Sequence, residues 1–440
     1  MLHLLLAITL VRLKPDTTGD LVRLKADPTE ETPAGSGFSR TAESPETVTD
    51  IRVQGNVLTP DAEILQLTGV EIGVPFTAGM PEAVAARLKA THKFQRVDVL
   101  KRFASISDPT QIILVIVVDE GPVKIESFQD PTTPARVVRR RGLGLLWLPL
   151  LDFEDGYGFS YGVQLARPNV VGANSRLSFP LTWGGQKQAG AQLEKIFDHG
   201  PLTRVETGAS ISRRTNPFFD EDDDRDRLWV RAERAITPAL RAGATAGWQQ
   251  VDFMNASDRF THESADVTFD TRLDPMLARN AVYGRASVEH FDFMHASAAT
   301  RTELDGRGYI GLYRQNILVL RVLRQDSDVP LPSYLQPMLG GTANLRGFRA
   351  GSAIGDTLVS GTAEVRAPLT SPLNIGKAGI SAFVDIGAIY DKGQQLAEQH
   401  FSRGYGGGVW FAATAIRLNL VVAHGIGGGT RVHFGTSVSF

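Results

Sequence analysis

Gly158-Phe-Ser-Tyr-Gly162 has the Gly-x-Ser-x-Gly spacing that presents a nucleophilic serine in hydrolases. That chemistry needs a strained strand-to-helix elbow, with a histidine and an acid in reach of the hydroxyl. Ser160 lies instead in the middle of an alternating stretch with no helical pattern after it, so no elbow is expected. Asp220-Glu-Asp-Asp-Asp224 concentrates carboxylates but lacks the spaced ligands and the glycine of a calcium loop; it reads as a solvated hairpin tip. Gly425-Ile-Gly-Gly-Gly429 lacks the Lys-Ser/Thr of a phosphate loop and precedes a strand pattern, so it reads as a turn. The nine histidines are scattered, with no pair at metal-ligand spacing on a helix. With no cysteine, thiolate metal sites and disulfide frameworks are excluded. No metal, cofactor or catalytic residue is expected.

What remains is a long loop that carries arginine. Leu339-Gly-Gly-Thr-Ala-Asn-Leu-Arg-Gly-Phe-Arg349 sits in a turn-rich interval, with Pro330, Pro332 and Pro337 before it and Gly351 and Gly355 after it. Strand-like alternation resumes at Leu358 and again at Ile380. Most connections are short, and long ones between regular elements tend to be functional. The loop that carries Arg346 is therefore a candidate functional segment, and Leu345, Arg346, Gly347 and Phe348 are singled out within it by the resemblance given below.

The elements around this loop alternate with period two. Val205, Thr207, Ala209 and Ile211 interleave with Arg204, Glu206, Gly208 and Ser210; Ala265, Val267 and Phe269 interleave with Asp266, Thr268 and Asp270. Near the end, Val432, Phe434, Thr436, Val438 and Phe440 share one face, with Arg431, His433, Gly435 and Ser437 on the other. The charged phase suits a wet lumen, and runs of about ten residues suit tilted membrane-crossing strands. Some sixteen such segments begin near Leu143, Tyr157, Ser175, Lys187, Thr203, Arg225, Ala239, Thr261, Ala281, Arg301, Asn316, Leu358, Lys377, Arg403, Ile416 and Thr430. Turns at 169–174 and 198–201 are brief, whereas 215–224 and 325–356 read as long loops. Trp147, Trp183, Trp229, Trp248 and Trp410 fall near strand ends or outward faces, fitting an interfacial girdle or core packing equally well.

Composition agrees. Hydrophobic residues make up 42% and charged residues 21% of the chain, and no apolar run reaches the roughly 18 residues of a spanning helix. A membrane-embedded form would have to be a closed barrel, since lipid leaves no other way to satisfy strand backbone groups. The net charge of −2 carries no basic excess, which argues against nucleic acid as a partner.

Residues 1–47 read as a disordered segment. They open on an apolar stretch, a possible signal-sequence remnant, and repeat Val11-Arg-Leu-Lys-Pro-Asp-Thr-Thr18 as Val22-Arg-Leu-Lys-Ala-Asp-Pro-Thr29. Residues 48–124 read as a small α+β domain. A strand at 51–54, a helix opened by Thr59-Pro60-Asp61, a second opened by Pro81, and strands at 94–100 and 112–119 follow in order. Residues 125–142 form a linker and 143–440 the β region. The fold class is thus mostly β: an antiparallel transmembrane barrel of about sixteen strands preceded by a small α+β domain.

Leu345-Arg-Gly-Phe348 resembles the Leu/Val-Arg-Gly-Phe loop motif of the BamA/TamA superfamily of outer-membrane assembly proteins, the bacterial surface antigen family. The small domain resembles that family's POTRA domain at Gly55-Asn56, Gly73-x-x-Phe76, Phe94-x-x-Val97 and Val118-Asp-Glu-Gly-Pro122. The resemblance implies that the loop folds into the barrel and that Arg346 meets carboxylates on the wall. Glu364 in Gly361-Thr-Ala-Glu-Val-Arg366 and Asp385 in Phe383-Val-Asp-Ile-Gly387 stand at the matching positions. A desolvated guanidinium needs such partners, because its planar fork matches carboxylate geometry. Phe440 resembles the terminal aromatic that marks barrels for insertion. The implied role is inserting or exporting proteins at the bacterial outer membrane, with the small domain in the periplasm. The implied partners are unfolded outer-membrane or secreted clients and outer-membrane lipids, and no enzymatic chemistry is implied. One POTRA-like domain is legible where the assembly insertase carries several, so a narrower-client relative fits as well. A two-partner-secretion transporter and a passive channel with a lumen-occluding loop are the alternatives. The open sheet edge at 94–103 and a seam weakened by Pro149, Gly435 and the 425–429 turn are the expected places for strand pairing.

Overall fold

A computed structural model describes residues 45–440 apart from 57, 95, 106, 121–122, 127–135, 140–145, 276, 372–375, 414–415 and 439–440. The N-terminal domain runs β1 (Thr47–Gln54), α1 (Asp61–Thr68), α2 (Met80–Ala90), β2 (Arg96–Phe103) and β3 (Gln111–Asp119). Its sheet has the order β1-β3-β2, with β1 parallel and β2 antiparallel to the central strand. Centrality explains the unbroken apolar run of β3, buried at consecutive positions from Ile112 to Ile116. A strand covered on both faces reads as continuous rather than alternating. Ile64, Val84 and Leu88 of the two helices pack against Ile116 and Val118. The turn after β1 needs Gly55: its φ is +85° and a Cβ would stand 2.2 Å from the Val118 carbonyl oxygen. The buried Glu120 carboxylate accepts the Leu58 and Thr59 amides at 2.5 and 2.8 Å, which fixes the approach to α1.

The stretch expected as linker contains a hairpin, β4 (Val123–Glu126) with β5 (Arg136–Arg139). The barrel then runs β6 (Leu146–Glu154), β7 (Gly158–Pro168), β8 (Ser175–Gly184), β9 (Gln186–Ile196), β10 (Arg204–Asn216), β11 (Glu221–Ala235), β12 (Leu240–Phe253) and β13 (Ala256–Asp270). It continues through β14 (Ala281–Phe293), β15 (Ala299–Gly311) and β16 (Ile317–Ser327). The short pair β17 (Met338–Leu339) and β18 (Ala353–Ile354) belongs to the loop. β19 (Thr357–Thr370), β20 (Gly376–Tyr390), β21 (Ser402–Ala413), β22 (Ile416–Gly425) and β23 (Gly429–Val438) complete the wall. All sixteen wall strands are antiparallel to their sequence neighbours, and β23 closes on β6. Leu228, Val230, Val267, Leu320, Val322, Val384 and Val422 are exposed on the outside. Arg231, Asp266, Asp305, Arg321, Glu364 and Asp385 point inward; Arg231 pairs with Asp266 and Arg321 with Asp305 across strands, and Glu364 and Asp385 meet Arg346 of the loop.

One expectation is corrected here. Residues 215–224 are not a long loop, because β10 and β11 pair as far as Asn216 opposite Glu221. Arg213 faces Asp224 with both guanidinium arms on its carboxylate, and Thr215 donates to Asp222, so the acidic run is one side of a cross-strand charge ladder. Pro149 lies inside β6, the first strand of the wall, opposite Val163 of β7. Of the tryptophans, Trp183 and Trp248 are exposed on the outer wall, while Trp410 donates its indole N–H to the Ile380 carbonyl and lines an interior cavity.

The N-terminal domain sits against one end of the barrel. Arg102 Nε of β2 lies 2.5 Å from Asp274 Oδ2 in the β13–β14 connection, both side chains nearly sealed from solvent. Phe103 beside it lines a cavity with Leu277, Lys377 and Trp410. The long loop enters from the opposite end.

Candidate functional site

The loop joining β16 to β19 is held by a polar base and an apolar stem. Asp356 accepts the Leu331 amide and the Lys392 amide, at 2.8 and 2.9 Å, and so closes the base. Leu331, Tyr334 and Leu335 pack against Val251, Phe253, Phe260, Phe291 and Phe293 inside the barrel mouth. Tyr334 donates to Asp258 at 2.8 Å; burial and then that carboxylate hold its phenol above the ordinary range, so it remains a donor. Asn344 folds the descending limb by accepting the Gly340 amide and donating to the Met338 carbonyl. Arg321, itself paired to Asp305, donates to the Ala343 carbonyl at 2.6 Å.

At the tip, Arg346 reaches the wall formed by β19 and β20. Its Nε and Nη2 donate to the two oxygens of Asp385 at 2.8 Å each, a bidentate fork. Its Nη1 donates to Glu364 at 2.7 Å, and its own amide adds a third bond to Asp385 at 3.0 Å. The guanidinium lies 3.3 Å over the Phe383 ring, so its flat face is covered while its edge is paired. Side-chain exposure is 12% for Arg346, 9% for Glu364 and 1% for Asp385. In so dry a place charges persist only when their hydrogen bonds are filled. Glu364 holds a second cation as well, Arg366 at 2.6 Å.

Glycines let the tip come this close. A Cβ on Gly404 of β21 would stand 2.0 Å from the Arg346 carbonyl oxygen, and one on Gly347, whose φ is +92°, would meet Gly425 backbone at 2.5 Å. Phe348 covers Gly425 and Gly428, so the glycine turn between β22 and β23 is packed rather than bare. Leu345 is fully buried against Leu323, Leu339 and Leu358.

Two contacts of this site were not legible beforehand. The Gly347 amide donates to His433 Nε2 of β23, and His433 Nδ1 is 2.7 Å from Asp155 beyond β6. Neither residue belongs to a motif, and they lie 278 positions apart in the chain. The one available signal was a histidine on the inward phase of the last strand. Of the other sequence-derived residues, Ser160 of β7 accepts the Gln186 amide, and Phe440 lies outside the described residues.

The closure of the wall is thin. Among the described residues, β23 and β6 pair only at Thr436 opposite Phe153 and Ser437 opposite Asp152. By contrast β10 and β11 pair continuously from Arg204 to Asn216. Across the seam, the rings of Phe153 and Phe434 meet edge to face at 5.4 Å.

No curated protein sequence matches this chain. The fold resembles BamA from Haemophilus ducreyi lacking POTRA domains 1–3, with a TM-score of 0.60 at 12% identity, covering 89% of this chain and 84% of that one. It also resembles CdiB from Escherichia coli, with a TM-score of 0.51 at 13% identity over 94% and 93% of the two chains. CdiB from Acinetobacter baumannii gives 0.50 at 12% identity over 90% and 74%. The Omp85 superfamily domain matches residues 153–440, which takes in the wall from Phe153 onward together with the arginine loop. This protein is an outer-membrane β-barrel of the Omp85 superfamily.

Proposed function

We propose that this barrel inserts or exports client proteins at the outer membrane by opening between β6 and β23 and pairing an extended client strand there. The observation that carries the reading is that, among the described residues, β6 and β23 close through two backbone pairs, the shortest ladder in the wall. A closed barrel hides every edge, so a template for a new strand exists only where the ladder can part at low cost. The strands beside the seam are also short: β6 spans 9 residues and β22 and β23 span 10 each, against 15 in β11, β13 and β20. In this reading the N-terminal domain acts as a POTRA-like module on the periplasmic side. Its β2, an outer strand of its sheet, supplies an edge for β-augmentation of the client before insertion.

The test uses the absence of native cysteine. Asp152→Cys with Ser437→Cys places a disulfide across one of the two paired positions. Reduced protein in liposomes should speed the folding of an unfolded small outer-membrane barrel, and the oxidised form should not. Equal acceleration by both forms contradicts seam opening. Steady single-channel conductance with no acceleration by either form would favour the passive channel with an occluding loop.

A further inference from the structure

We infer that His433 couples the loop tip to the seam, one neutral imidazole joining the Gly347 amide on the loop to Asp155 beside the first strand. The protonation pattern follows from geometry. The Gly347 N–H points at Nε2 at 3.0 Å, so Nε2 must offer its lone pair. The proton of a neutral ring then resides on Nδ1, which donates to Asp155 Oδ2 at 2.7 Å. His433 is 3% exposed, so water does not readily replace either partner.

The three residues lie on the three parts that must separate if the barrel opens. His433 is on the last strand, Asp155 follows the end of the first, and Gly347 is in the loop that Arg346 locks to β19 and β20. The ladder between first and last strands stops at Phe153, so Asp155 is joined to β23 by this side chain just beyond the last backbone pair. An independent observation puts the same turn under the loop. A Cβ on Gly341 would stand 2.9 Å from Asp155 Oδ2, and one on Gly156 would stand 2.7 Å from the Ala350 Cβ. Parting the seam with the loop seated, or lifting the loop with the seam shut, breaks one of the two imidazole bonds. The histidine therefore makes the loop position and the seam state depend on each other.

The inference rests on the client-strand reading for the purpose of the coupling, but not for its existence. Hydrogen exchange of the full chain in lipid nanodiscs tests it without a client. The peptides to follow cover residues 343–348 and 153–158. His433→Phe keeps a planar ring and removes both bonds, and should speed exchange in both peptides about tenfold or more. His433→Asn keeps a donor near the Nδ1 position and should restore protection at 153–158 alone. His433→Gln reaches the Nε2 position with an acceptor and should restore protection at 343–348 alone. If His433→Phe alters neither peptide or only one, or if Asn and Gln both lose protection everywhere as Phe does, the residue only fills space and the coupling is wrong. Coupling seen here together with a seam disulfide that leaves client folding unaffected would retain this inference and remove the functional one.

Discussion

Replacing Arg346 by alanine isolates what the loop lock contributes. The guanidinium makes two bonds to Asp385 and one to Glu364, and its removal affects the two acids differently. Glu364 keeps Arg366 at 2.6 Å, whereas Asp385, 1% exposed, keeps among the described residues the residue 346 amide alone. Stranding one charge of a buried pair costs about 3–5 kcal/mol, so Arg346→Ala should destabilise the folded barrel by that order. Removing the stranded charge should return part of the loss, so the double variant Arg346→Ala/Asp385→Asn should be more stable than Arg346→Ala alone. Arg346→Lys should fall between wild type and alanine, because an ammonium cannot pair both acids as a fork and lie flat on Phe383 at once. Urea unfolding in lipid vesicles, followed by the fluorescence of the five tryptophans, reads all four proteins. If Arg346→Ala unfolds within about 1 kcal/mol of wild type, or if the double variant is the least stable, the lock contributes nothing as a charge cluster and the reasoning fails.

Gly404→Val should displace the tip, since its Cβ would overlap the Arg346 carbonyl; the loss of stability should approach that of Arg346→Ala, measured in the same urea titration. Arg102→Ala removes the buried ion pair to Asp274 and should loosen the N-terminal domain, seen as a broadened distance between spin labels on that domain and the barrel. Glu120→Ala leaves the Leu58 and Thr59 amides without their acceptor and should destabilise the N-terminal domain by about 1–3 kcal/mol, read as faster hydrogen exchange across α1 with the barrel unchanged.

Much of the barrel was legible because lipid outside and water inside impose period two on every strand. All sixteen strand starts read from alternation lie within a few residues of those observed. Arg346, Glu364 and Asp385 stood out because the loop and the next two strands resemble the family motif at these positions, and a desolvated guanidinium needs carboxylate partners. Residues 215–224 were misread because five acids in a row suggest a solvated tip. Their cross-strand partners, Arg213 and Thr215, turn that cost into pairing. The β4–β5 hairpin was missed because two four-residue strands fall below what periodicity can register. His433 and Asp155 escaped notice because their meeting depends on barrel closure, a register between chain ends that no local pattern encodes. The shortness of the β6–β23 ladder among the described residues was not legible either, and the glycine turn beside it is covered by Phe348.

The central claim is tested most directly by trapping a client strand in place. Single cysteines along β6, such as at Asp152, and along β12 as a mid-wall control, would be offered a stalled outer-membrane barrel carrying one cysteine in its terminal strand. The account predicts disulfides at alternate positions of β6, in a register that shifts two residues when the client cysteine shifts two, and none on β12. Efficient client folding with no crosslink to β6, or with equal crosslinking to β12, would contradict it.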